Sequence, residues 1–355
     1  MNINTLHKNK QLKLKLSLFT LLISFLVCYF LLTLIYKHIK TNSELIINST
    51  DTLVSSESIV SSTSSSRFIT DSKQYELTQA SQALTLSIDE INYYSSLSYN
   101  ERLNFLFNNS YSLKDRIEVF LSTDIHNVGL IYYNLKSNEE ISINSDSIFT
   151  AASTYKVGLN LLTYYLASIG EINLDDEISY IYDDYEEGTG VLYLQDYIGT
   201  YTIQELLDLS IIYSDNIATN MVGRYLGGHT AVRSALYDLL DIEFITSENL
   251  ITPNIELKIL QYIYNNRYLS GFSHLINTLT QTDFSDRLDK YIPSNIVAHK
   301  VGTIDTNIHD VGIILTDEPY ILEIYTYDLQ DAEEKIAQIS KAFMNLINKF
   351  KNFIL

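Results

Sequence analysis

The chain has 355 residues, 46% of them hydrophobic, enough to bury a sizeable core rather than stay unfolded. Its formal net charge of −19 excludes nucleic acid as a partner, because nothing would neutralise the phosphates; an acidic surface mainly favours solubility. The single cysteine, Cys28, excludes an internal disulfide framework.

Residues 1–15 carry Lys8, Lys10, Lys13 and Lys15, and an uncharged run of 21 residues follows at 16–36, "LSLFTLLISFLVCYFLLTLIY". That length spans a bilayer's hydrocarbon core. The cationic flank before it outweighs Lys37 and Lys40 after it, so the N-terminus is expected in the cytoplasm and the rest outside, as a single-pass membrane protein. A cleaved signal peptide would show a shorter apolar stretch ending in small residues, so the run is read as an anchor. Residues 37–74, with "STDTLVSSESIVSSTSSSR", cannot bury enough apolar surface to fold and read as a flexible tether.

From 75 to 110 the pattern is that of a helical extension, and "SYNERLNFLF" and then "SLKDRIEVFL" each open on a Ser that can cap a helix. "NVGLIYYNL", a turn at "KSNEE" and "EISINS" predict a β-hairpin. A long helical section follows: "STYKVGLNLLTYYLASIG" ends at Gly170, "TIQELLDLSIIY" opens on a Thr202–Glu205 capping box, and "TPNIELKILQYIYNN" opens on Thr252 and Pro253. Strand character returns in "NIVAHKVGT", "HDVGIILT" and "YILEIYTY", before a closing amphipathic helix, "DAEEKIAQISKAFMNLINKF". Hairpins early and late with helices between imply an α+β fold, an antiparallel sheet with helices packed on it.

Three short motifs carry candidate chemistry. Ser153 and Lys156 form an S-x-x-K, whose i, i+3 spacing puts hydroxyl and amine on one helical face, a nucleophile and its base if burial depresses the lysine pKa. Taken alone, the same pair fits the rim of an ordinary helix. Ser214, Asp215 and Asn216 lie between two helices, where a capped turn would account for them equally well. In "HKVGT", 299–303, Lys300 places an ammonium at a strand edge and Gly302 permits close approach of a substrate backbone. His299 and His309 lack a third ligand at metal spacing, and the acidic run from Asp175 to Glu187 lacks a Gly-centred calcium loop and reads as a solvated loop. No cofactor is implied.

In this order and context the three motifs are the set shared by class A β-lactamases and penicillin-binding proteins, and residues 111–355 resemble class A β-lactamase-like serine hydrolases. The resemblance includes "GTGVL" before the capped helix and "YSDNIATNMV" after it. It implies a five-stranded antiparallel sheet flanked by helices, beside an all-helical lobe, with the site in the cleft. It also implies roles: Ser153 as acylated nucleophile, Lys156 as its base, and Ser214 as proton relay to the leaving nitrogen. Asn216 would hold a substrate amide, and Gly302 and Thr303 would line the substrate strand. Lys300 would supply positive charge, and the N–H groups of Ser153 and Thr303 the oxyanion hole. Two departures stand out. The stretch "LLDIEFITSENLITPNIEL" leaves no room for the loop that carries the family's deacylating glutamate, with Glu248 the nearest candidate carboxylate. Val301 replaces a hydroxyl residue, and the following strand carries no Arg. The expected substrate is a β-lactam or a D-alanyl amide of a peptidoglycan stem peptide. The alternatives are a D,D-peptidase, a penicillin-binding sensor acylated once, and a wall-binding module.

Overall fold

In the computed structural model, which describes residues 84–243 and 248–354, the strands expected early and late in the chain meet in one sheet. The expected cytoplasmic stretch, anchor and tether lie outside the described residues. Among the described residues no helix is long and apolar enough to cross a membrane.

The sheet holds β1 (Val128–Asn134), β2 (Glu140–Ile143), β7 (Val297–Ile304), β8 (Asn307–Ile314) and β9 (Tyr320–Thr326) in the order β2-β1-β9-β8-β7. Every neighbouring pair is antiparallel. Two-residue and three-residue strands form small ribbons beside it: β3 (Phe149–Thr150) with β6 (Leu250–Ile251), and β4 (Glu177–Ser179) with β5 (Thr200–Thr202).

Strand residues alternate faces, and here both faces are apolar. Leu130, Tyr132, Tyr320, Leu322 and Ile324 join a core with α3 (Leu113–Leu121) and α10 (Ala332–Ile354), in which Tyr132 stacks on Phe343 at 4.7 Å. Ile131, Ile321 and Tyr325 face a second core, shared with the helical lobe. A one-residue slip of β9 would exchange the two sets, so burial on both sides fixes its register. The stretch before α3 supplies α1 (Ile88–Ser95) and α2 (Tyr99–Phe107), where Phe105 stacks on Tyr111.

The helical lobe comprises α4 (Tyr155–Ser168), α5 (Ile203–Ile212), α6 (Asn216–Tyr225), α7 (His229–Leu239), α8 (Pro253–Asn265) and α9 (Ser270–Leu279). Their starts follow the capping signals. Glu205 N donates to Thr202 Oγ1 while Thr202 N donates to Glu205 Oε2, and Ile255 N donates to Thr252 Oγ1 ahead of Pro253 at the first turn of α8. Such caps satisfy backbone N–H groups that have no partner inside the helix.

Candidate active site

Ser153 sits one step earlier than a helix start: it occupies a 3-10 turn, Ala152–Thr154, that feeds directly into α4. The turn is held in an uncommon conformation. Ala152 has φ 50°, and its carbonyl accepts from Asn249 Nδ2 at 3.0 Å, while Thr154 N donates to Ala151 O. A left-handed residue without glycine costs energy and persists where surrounding contacts enforce it. Ser214, on the facing loop between α5 and α6, is likewise left-handed at φ 53°.

Lys156 joins the two serines. Its Nζ lies 3.1 Å from Ser153 Oγ and 3.1 Å from Ser214 Oγ, and donates to Ser214 O at 2.6 Å and Asn216 Oδ1 at 2.7 Å. Burial disfavours the ammonium and lowers the Lys156 pKa to about 7, against the opposing fields of Glu186 and Asp215. A desolvated amine in contact with a hydroxyl is a competent general base near neutral pH.

Asp215 locks the loop in place. Its Oδ1 accepts from Ala218 N as the cap of α6, and its Oδ2 accepts from Val191 N and Leu192 N at 2.7 and 2.8 Å. This ties "GTGVL" to the S-D-N loop and gives Gly190 its reason: at φ 119°, a side chain there would collide with the Asp215 carboxylate. Asn216 Nδ2 donates to Glu187 O at 3.2 Å, so both ends of its amide are engaged.

The third motif closes the site from the sheet. A Cβ on Gly302 would lie 2.9 Å from Ala151 O and 3.0 Å from Thr154 Cγ2, so β7 runs against the Ser153 turn itself. Lys300 is fully buried, its Nζ donating to Val301 O and lying 5.5 Å from the Phe284 ring centre. Burial, then the neighbouring Lys156, pushes its amine well below the ordinary lysine range. Thr303 is exposed at the end of the strand.

The following strand indeed brings no Arg, but one arrives from the loop before β7. Arg287, buried, donates from Nη1 to Gly302 O and His309 O at 3.1 and 2.6 Å, and from Nη2 to Thr303 Oγ1 at 2.7 Å. The two histidines have internal partners. His299 Nδ1 meets Asp310 at 2.9 Å; burial opposes its charge, but Asp310 and Asp289 outweigh that and raise its pKa. His309 donates from Nε2 to Thr150 O and accepts Thr326 N at Nδ1, and burial lowers its pKa to about 4, so it is a neutral strut.

Behind the turn lies a cluster that sequence reasoning missed. Thr154 Oγ1 is 3.0 Å from Tyr325 Oη, which in turn donates to Glu256 Oε2 at 3.1 Å. Glu256 and Glu323 are fully buried, and neither Glu323 oxygen has a hydrogen-bond partner. Burial raises Glu256 to about 8 and Glu323 well above the carboxylate range. Glu248 is exposed and does not line the cavity beside Lys156.

Residues 112–348 match the profile described as the Beta-lactamase enzyme family. The chain belongs to that family. It is similar to Beta-lactamase VEB-1 of Pseudomonas aeruginosa, 25% identical over 246 residues that cover 61% of this chain and 82% of that protein. It is also similar to Extended-spectrum beta-lactamase PER-1 of Pseudomonas aeruginosa, 21% identical over 266 residues, 64% of this chain and 85% of that one. Among solved structures it superposes on PBP-A with a TM-score of 0.60 at 23% identity, over 66% of this chain and 96% of that one. The TLA-1 extended spectrum beta-lactamase gives 0.60 at 24%, over 66% and 97%. At those identities the structural likeness carries the fold alone: the α+β β-lactamase-like arrangement with its five-stranded antiparallel sheet.

Proposed function

We propose that this β-lactamase-family chain is a serine hydrolase that forms an acyl-enzyme at Ser153 with a β-lactam or a D-alanyl amide and hydrolyses it slowly. One observation carries the reading: a desolvated Lys156 amine touches both Ser153 Oγ and Ser214 Oγ at 3.1 Å. Neutral Lys156 takes the Ser153 hydroxyl proton as Oγ bonds to the substrate's carbonyl carbon. The backbone N–H groups of Ser153 and Thr303 receive the developing oxyanion, where fixed donors stabilise the transition state more than the substrate. The C–N bond then breaks, and the proton passes from Lys156 through the Ser214 hydroxyl to the leaving nitrogen.

Thr303, backed by Arg287, and Lys300 would meet the substrate's acidic group, compensating for the hydroxyl that Val301 lacks. An arriving carboxylate favours the charged form of Lys300, so binding restores the charge that burial suppresses. Asn216 would exchange Glu187 O for the substrate amide.

The test is to mix the soluble part, 75–355, with a chromogenic cephalosporin and record an intact mass. An adduct that forms in the wild type and is absent in Ser153→Ala, with a burst of about one product per enzyme, is the expected result. Undiminished labelling of the Ser153 variant would sink the mechanism. The short connection between α7 and α8 favours a second reading, a D,D-peptidase or a sensor acylated without turnover. An adduct that persists for hours would select the sensor. We also propose that the 16–36 run anchors the chain with its catalytic part outside the cell; protease added to intact cells should then cut the tether, and cutting only after lysis refutes that orientation.

A further inference from the structure

Hydrolysis of the Ser153 ester needs a base for the incoming water, and among the described residues the connection before α8 puts no carboxylate in the cavity beside Lys156. A cavity of about 280 Å³ adjoins Lys156, with Ala152, Tyr155, Lys156, Glu186, Asn216 and Asn249 in its wall. At roughly 30 Å³ per molecule, that volume can admit several waters. Among the described residues, Glu186 is the only carboxylate lining it.

Glu186 is also aimed. A directed chain of hydrogen bonds runs to it from the residue beside Lys156. Tyr155 Oη donates to His229 Nδ1 at 3.0 Å, His229 Nε2 to Asn220 Oδ1 at 3.0 Å, and Asn220 Nδ2 to Glu186 Oε2 at 2.9 Å. The Glu186 carboxylate can only accept, so the Asn220 amide turns its Oδ1 to His229 and Nε2 carries a proton; the Tyr155 hydroxyl can donate or accept, and it donates to Nδ1 when the imidazole is neutral. Burial, with Arg233 nearby, favours that neutral form. Glu186 is exposed at the cavity, and one of its oxygens, Oε2, accepts from Asn220. Its negative charge acts on Lys156, as expected for a carboxylate close to the amine.

We propose that Glu186 is the general base of deacylation, supplying from the acidic loop before α5 what the connection before α8 does not. It takes a proton from water as the water oxygen bonds to the ester carbon. The C–Oγ bond then breaks, and the proton returns through Lys156 to Ser153 Oγ, leaving a free serine and a carboxylic acid product. Asn220 is a positioning residue, acting through Glu186.

The inference rests on the acyl-enzyme at Ser153, and the two steps are measured separately. The full exported part is acylated with benzylpenicillin, excess is removed, and the adduct mass is followed. Glu186→Gln should still form its adduct and lose it about 100-fold more slowly, the lower end of what a general base contributes. In Glu186→Ala, added formate should restore part of the decay, which a structural defect would not allow, and adduct formation itself reports a folded site. Adduct decay unchanged in Glu186→Gln overturns the proposal and leaves the acyl-enzyme standing; decay stopped instead in Glu248→Gln moves the role there. A wild type that forms no adduct overturns both.

Discussion

Replacing Glu256 by Gln should make the protein less sensitive to alkaline pH. The Glu256 carboxyl is fully buried on α8, bonded to Tyr325 Oη through one oxygen, with no partner for the other. Burial lifts it from 4.5 to about 8, so the folded state holds a proton that the unfolded chain releases above pH 4.5. The sign follows: the group costs nothing below about pH 4.5, lowers stability as pH rises from there, and has its full effect above about pH 8. At 1.36 kcal/mol per pH unit, the loss between pH 5 and 8 is about 4 kcal/mol, a melting shift on the order of 10 °C for a domain this size. Gln keeps an acceptor for the tyrosine and does not titrate; any cost of its unpaired amide is the same at every pH. Melting curves of wild type and Glu256→Gln from pH 5 to 8.5 should therefore diverge in slope, with Glu256→Met, of similar volume, behaving alike. Glu323, raised in the same direction, should add to the effect, and the double variant should be flattest. Parallel pH profiles for wild type and Glu256→Gln would refute the reasoning.

Acylation should rise about tenfold per pH unit below about 7 and level above it, as Lys156 loses its proton, and stopped-flow with a cephalosporin should find that limb absent in Lys156→Ala. Arg287→Lys keeps the charge but loses the fork to Thr303 and the two carbonyls, so KM for a penicillin should rise about 10-fold, a loss in the range of a charged hydrogen bond, while its carboxyl methyl ester is affected little. Gly302→Ala should force β7 from the Ser153 turn and cut acylation at least about 100-fold, with near-UV circular dichroism retained, because a 1 Å misplacement is enough for that loss.

What the sequence disclosed was local. The hairpin of β1 and β2, the Thr202–Glu205 box and the Thr252–Pro253 start all depend on residues within one turn of each other, and each was found where expected. Ser153, Lys156, Ser214 and Asn216 were legible because fixed spacing within short motifs implied their neighbourhood, and the Lys156 amine meets the other three. Arg287 was not, since its value comes from reaching across β7 and β8, and no spacing in the chain encodes that. Glu186 was hidden in an acidic run that reads as solvated surface; it is exposed, and its place in the cavity lining and its bond to Asn220 single it out. Glu256 and Glu323 did leave a trace, each a lone acid among the apolar residues of "NIELKIL" and "YILEIYTY", and a charge at such a position marks a buried titrating group.

The sheet's strand order has a bearing on when the site comes into being. β1 pairs with β9, Val128 opposite Thr326, so its inner edge waits for a partner made roughly 200 residues later. Gly302, on the strand that presses against the Ser153 turn, belongs to that same late group. During synthesis, the helical lobe can collapse around α4 with the serine and lysine already adjacent, yet the wall that completes the cleft does not exist until the last quarter of the chain emerges. Closing so long a loop is slow, and an exposed β1 edge is an invitation to pair with another copy. Truncation just before β7 should therefore yield an aggregating chain with Ser153 and Lys156 present and no acylation, which makes the C-terminal strands the timing element of the proposed site.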